Sequence, residues 1–220
     1  MSDLRRIIEV YDSALIRAYA TVRFRIIDLR FIEEIGQYLP DSGRILDLGC
    51  GFGLFALAFG AGRARRRILG VDLDARRIAV ARAAASRLGA DNVEFAVGDA
   101  RDPRFAGSFD AVYLLDIVHH VPRPAVDPLF AAIRRALLPG GVLIVKDVDA
   151  RPAYKRWFTW ALDKLMDPRT PVHYWPTAEL RALLGRHGFT VHVHQMRDLL
   201  PYPHVIYICR PVDPPAAPAA

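Results

Sequence analysis

Cysteine is scarce in this 220-residue chain: Cys50 and Cys209 are the whole supply, and neither lies in a CxxC pair. Two thiols are too few for a disulfide framework or a structural zinc site, so cysteine usage gives no reason to place the chain in an oxidising compartment. Long apolar runs are missing as well. No charge-free apolar stretch reaches the roughly 18 residues of a membrane span, and the opening MSDLRRIIEVYDS lacks the uninterrupted apolar core of a signal peptide. The expectation is a cytoplasmic chain that is neither exported nor membrane-spanning. No internal repeat is visible.

What is present fits one globular domain with a substantial core, because 52% of the residues are hydrophobic and 25% charged. The formal net charge is +6, most of the positive charge being arginine. Such a surface suits an anionic partner: nucleic acid, acidic lipid or an acidic substrate. The densest cluster, GRARRR at 62–67, reads as a solvated turn before a strand, with an anion-binding patch as the sharper alternative.

Residues 1–39 carry apolar positions at three- and four-residue steps (Leu4, Ile7, Ile8, Tyr11, Leu15), predicting helices, which Pro40 to Gly43 stop. RILDLG then reads as a strand and FGLFALAFG as a helix. RILGVDLD is a second strand, ARRIAVARAAASRLG an Ala-rich helix and NVEFAVGD a third strand. FDAVYLLD, a helix over 127–139 and GGVLIVKDV over 140–148 continue the alternation, which predicts an α/β fold with a parallel sheet. Residues 149–175, rich in aromatics and proline, read as an insertion or lid. A helix at 177–188 and strands at 189–196 and 204–210 follow. The domain expectation is a helical cap over 1–43, the α/β domain over 44–210 and a disordered Pro/Ala tail over 211–220.

The first strand-to-helix turn, DLGCGFG, places Gly49, Gly51 and Gly53 at alternate positions. Glycines there permit positive φ and let a backbone approach a ligand without a Cβ in the way, although a tight turn alone needs them too. Asp72 ends the second strand, where an acid can accept from ribose hydroxyls, and Asp99 ends the third, where a carboxylate can receive an exocyclic amine. Each acid alone fits a solvated strand end. Together with the glycines they fall on one edge of one sheet.

In these segments the chain resembles the class I S-adenosylmethionine-dependent methyltransferases. ILDLGCGFG is similar to their first motif, GVDLD to the acidic second-strand motif, VGDA to the adenine-contacting motif, and LLPGGVLIVKD to the turn into their fifth strand. The resemblance implies a Rossmann-like seven-stranded sheet in the order 3-2-1-4-5-7-6, the last strand antiparallel, with helices on both faces. It also implies S-adenosyl-L-methionine as cofactor. Asp47 would hold the glycine loop and the methionine amino end, and Gly49, Cys50 and Gly51 would lie against the amino-acid portion. Asp72 would take the ribose hydroxyls, Leu73 would pack on the adenine, Asp99 and the Ala100 amide would read its edge, and Asp116 would face the methionine end. A dinucleotide fits less well, because DLGCGFG lacks the later glycine of GxGxxG and begins with an acid that would repel a pyrophosphate.

Candidate bases follow the fourth strand in LLDIVHHVPRP, where His119 and His120 sit three and four residues beyond Asp116. The alternative for both is a structural role in the pocket floor. His173, Tyr174, Tyr202 and His204 could reach the same pocket, though packing explains each; His192 and His194 read as sheet surface. Several acceptors lose support: DIVH is not the Pro-Pro-aromatic segment of amino-directed nucleic-acid enzymes, residues 116–128 lack the paired glutamates of arginine methyltransferases, and Asp116 with Asp147 is too thin a constellation for a metal. No metal is expected. A hydrophobic small molecule remains as acceptor (a lipid, quinone, polyketide or aromatic metabolite), its walls drawn from Tyr154, Trp157, Phe158, Trp160, Leu162, Leu165 and Met166. Arginines bordering these stripes also suit transient contact with an anionic membrane surface. An RNA methyltransferase using the basic surface and a non-catalytic cofactor-binding protein of the same fold are the alternatives.

Overall fold

Short apolar runs bounded by turn residues, too brief for helices, become strands buried on both faces. In the computed structural model, which describes residues 2–27, 29–99, 101, 105–151, 157, 160, 171–195 and 203–212, three helices come first: α1 (Ser2–Glu9), α2 (Ala14–Ile26) and α3 (Leu29–Gly36). Then follow β1 (Gly43–Leu48), α4 (Leu54–Gly60), β2 (Arg66–Asp72), α5 (Ala75–Leu88), β3 (Val93–Val97), β4 (Phe109–Leu115) and a 3-10 turn at Val118–His120. The chain continues through α6 (Arg123–Ala136), β5 (Leu137–Val148), α7 (Thr177–Arg186), β6 (Phe189–Gln195) and β7 (His204–Pro211).

The strands form one seven-stranded sheet in the order β3-β2-β1-β4-β5-β7-β6. β1 lies parallel to β2 and β4, and β2 parallel to β3, while β7 runs antiparallel to β5 and β6. Burial follows that order: β1, β4 and β7 are buried almost throughout, whereas the edge strands β3 and β6 alternate. The chain divides into two compact units, Met1–Asp102 with Ala111–Leu114, and Pro103–Asp110 with Leu115–Ala220. No helix among the described residues is long and apolar enough to cross a membrane.

Local chemistry sets the ends of the elements. Asp74 caps α5 by accepting from the Arg76 and Arg77 amides at 2.8 and 3.3 Å, and Gly89 closes it at φ +68. The expected start of α6 at Asp127 is four residues late. Pro124 already fits the first turn, where a helix has no partner for its N–H, and the bond that Pro128 gives up would have gone to the Pro124 carbonyl. No loop separates α6 from β5, since Leu137 is both helix cap and first strand residue. GRARRR divides as well. Arg63, Arg65 and Arg67 are exposed, but Arg66 is buried and donates to the carbonyls of Pro40, Gly36, Leu39 and Phe59 at 2.8–3.4 Å, joining the end of α3 to the end of α4. Most of the 149–175 segment and the tail beyond residue 212 lie outside the described residues.

Candidate functional site

Between β1 and α4 the chain turns through three left-handed glycines, Gly49 at φ +72, Gly51 at +55 and Gly53 at +82. A Cβ on Gly53 would come within 2.5 Å of the Phe95 ring, so this position needs glycine for space as well as for conformation. One on Gly51 would meet nothing within 4 Å, leaving that face of the loop open. The Gly49 and Cys50 amides donate to the Val71 carbonyl at 2.8 and 3.1 Å, and the Gly51 amide to Asp72 Oδ2 at 2.9 Å. The loop is thereby wrapped around the end of β2.

Asp47 sits beside Gly70 of β2 and Tyr113 of β4 in the strand register. Its carboxyl is buried, and Oδ2 has no hydrogen-bond partner among the described residues. Burial, with Asp72 adding repulsion, pushes its pKa up to about 8; the Tyr113 hydroxyl and the Ala56 amide offset this only partly. Asp72 accepts the Asp74 amide at Oδ1, 2.9 Å, in addition to Gly51, and since a carboxylate has about four acceptor positions it keeps capacity for further donors. Leu73 is 74% exposed next to it. Asp99 is engaged by Arg101, which accounts for its lowered pKa. Ala100 lies outside the described residues. The Cys50 thiol is buried and its pKa driven up, which makes it an inert wall rather than a nucleophile.

In the second unit, Asp116 is the non-glycine residue with positive φ (+59) among the described residues. Lys146 of β5 holds it twice, by Nζ to Oδ1 at 2.5 Å and by its carbonyl to the Asp116 amide at 2.9 Å. One residue along β5, the buried Asp147 accepts the His119 amide at 3.1 Å and pairs with His119 Nδ1. The His120 and Tyr174 rings lie against the His119 imidazole, at 4.1 and 5.6 Å between centroids. Asp116, His119 and Asp147 offer ligand atoms within 4.8 Å of one another, a spacing that could hold a metal ion, but the Lys146 ammonium already supplies a positive charge to Asp116.

Residues 45–141 match the family model described as a methyltransferase domain. The ubiquinone biosynthesis O-methyltransferase of Xanthomonas axonopodis pv. citri is 34% identical over 125 residues, 56% of this chain and 50% of that protein. The chain thus spans about half the length of the curated relatives it matches. Among solved structures, a SAM-dependent methyltransferase from Methanosarcina mazei superposes with a TM-score of 0.66 at 23% identity, covering 81% of this chain and 97% of that one. The [4+2]-cyclase SpnF gives 0.70 at 21%, covering 84% and 81%. At these identities the two structures bear on fold alone.

Residues 45–141 carry a methyltransferase domain, consistent with the class I S-adenosylmethionine-dependent methyltransferase family that the motifs resemble.

The cofactor of this methyltransferase family is a phosphate-free nucleoside carrying positive charge at its sulfonium and amino groups. The first unit fits it: a buried carboxylate oxygen lacks a donor, the adjoining loop is open above Gly51, and an acid ends β2. Asp47, Gly49, Gly51 and Asp72 are the residues that would hold it, with the exposed Leu73 available to the adenine. Of the other polar candidates, His173 reaches His119 through a backbone bond of 2.7 Å to its carbonyl, and His192 is exposed on β6. Tyr202 and most of the aromatic lid lie outside the described residues. Two features carry no motif: Gly70, where a Cβ would strike Phe95 at 2.5 Å, and the pairing of His119 with Asp147. Glycine inside a strand was the available signal for the first; 28 residues of separation hid the second.

Proposed function

We propose that the chain transfers the methyl group of S-adenosylmethionine to a hydroxyl of a hydrophobic, quinone-type small molecule. The observation that carries the cofactor half is the partnerless buried oxygen of Asp47 beside the glycine loop. The acceptor half draws on the relatives named for ubiquinone biosynthesis. When bound, the cofactor supplies an electrophilic methyl on sulfur. His119 is the proposed base: Asp147 holds Nδ1–H, which fixes the tautomer whose lone pair lies on Nε2, the nitrogen that would take the hydroxyl proton of an acceptor. His120, packed on the same ring, orients the acceptor.

A panel of hydroxylated quinols incubated with methyl-labelled cofactor tests this by mass spectrometry. One labelled product, lost in His119→Ala while cofactor affinity is retained, is the expected result; labelling of RNA instead would install the rival acceptor. Peripheral membrane contact also has support, since Leu15 and Val22 of α2 are 80% and 43% exposed and Arg25 is exposed on the same helix. Sedimentation with anionic vesicles, diminished by Leu15→Glu, is the corresponding check.

A further inference from the structure

The turn between α1 and α2 is tied down by two arginines that spend their donors largely on backbone. Arg87 of α5 donates to the Val10 carbonyl at 3.0 Å and pairs with the Asp12 carboxylate. Arg17 of α2 donates to the carbonyls of Tyr11 and Asp12 at 2.6 and 2.7 Å. Between these ties stands Tyr11, 1% exposed, and its hydroxyl donates at 2.8 Å to the carbonyl of Phe52, a residue 41 positions away. Phe52 is the residue between Gly51 and Gly53. Its ring meets the Tyr19 ring edge-on at 5.5 Å, with the Arg77 guanidinium 5.8 Å above it.

We propose that Tyr11 is a positioning residue for the cofactor loop, held in place by Arg87 and Arg17. This rests on reading that loop as the S-adenosylmethionine cradle. Glycine loses more conformational freedom on ordering than any other residue, so a run with three of them is costly to order, and whatever ordering is not built into the protein must be supplied when ligand binds. The β2 end orders the first half, through Val71 and Asp72 on the amides of Gly49, Cys50 and Gly51. Tyr11 orders the second half, through the Phe52 carbonyl. A phenylalanine would fill the same volume, so the hydroxyl acts on the loop and contributes little to the apolar contacts around the ring. The N-terminal helices therefore belong to the cofactor site by a hydrogen bond.

The test uses the full chain with S-adenosylhomocysteine as probe, in wild type, Tyr11→Phe, Arg87→Met and, as control, Arg5→Met, which removes an exposed pair with Glu9. Tyr11→Phe should weaken binding about five- to tenfold, the loss of one hydrogen bond's ordering. It should also speed amide hydrogen exchange across residues 49–54, with the melting temperature of the free protein nearly unchanged. Arg87→Met should move both readouts in the same direction by less, and Arg5→Met neither. Unchanged affinity and unchanged loop exchange in Tyr11→Phe would overturn the proposal, as would a general loss of stability without loop-specific exchange. If the wild type binds no probe, the cradle reading falls, and the exchange comparison still decides whether Tyr11 orders the loop.

Discussion

Buried beside Tyr113 with one oxygen lacking a donor, Asp47 is, on the reading proposed above, the residue whose proton a bound cofactor would displace. Its folded pKa of about 8 stands well above the value near 4 of a solvated carboxyl, so the folded state holds the proton where the unfolded chain has lost it. The contribution of Asp47 to stability is therefore most favourable below about pH 4 and declines as pH rises towards 8, a slope that Asp47→Asn should remove from the pH dependence of unfolding. A bound cation favours the carboxylate, so binding should release close to one proton near pH 6.5 and tighten as pH rises towards 8. Calorimetry in two buffers of different ionisation enthalpy reads that proton directly. Arg66 is the structural counterpart. Truncating it to Met leaves carbonyls of α3 and α4 without their donor, and chemical denaturation should show a loss of about 3 kcal/mol. The places of the glycines and of Asp72 were legible in the sequence because they are local, a left-handed turn and a strand end. Arg66 was misplaced in a solvated turn, because its carbonyl partners are set by where α3 and α4 end.

At the scale of elements, the β1–turn–α4 unit makes the glycines distinguishable. Alanine at Gly51 meets open space and carries only the left-handed penalty of about 1–2 kcal/mol. At Gly53 the same change adds an approach of 2.5 Å to Phe95, and the cost should exceed that of Gly51→Ala by about 1–3 kcal/mol in denaturant titrations. Equal costs would contradict the packing role given to Gly53. In the second unit, β5 and the turn after β4 place Asp147 behind His119, so Asp147→Asn should lower kcat while sparing cofactor affinity. Element types were legible because continuous apolar strand runs alternate with helical spacing, as on either side of the turn from Gly49 to Gly53. The start of α6 was misread because Asp127-Pro128 imitates a cap followed by a first-turn proline, a signal that Pro122 to Pro124 give first.

For the whole molecule, strand order was legible only through the resemblance that four motifs carry, since crossover handedness alone leaves several orders open. The acceptor was not. SpnF has a similar fold and is named a cyclase, so the sheet identifies a scaffold while reaction and acceptor depend on particular side chains. Segments expected to wall the acceptor, 152–156 and 161–170 among them, lie outside the described residues. Asp47, Gly49, Gly51 and Asp72, proposed to hold the cofactor, by contrast all lie in the first unit, and that proposal can be tested without knowing what is methylated. Titrating the full chain with S-adenosylmethionine by calorimetry, in wild type and Asp72→Ala, is the most direct measurement. Saturable one-to-one binding by wild type, weakened at least tenfold by Asp72→Ala, is the predicted result; no binding by wild type, or undiminished binding by the variant, would contradict it.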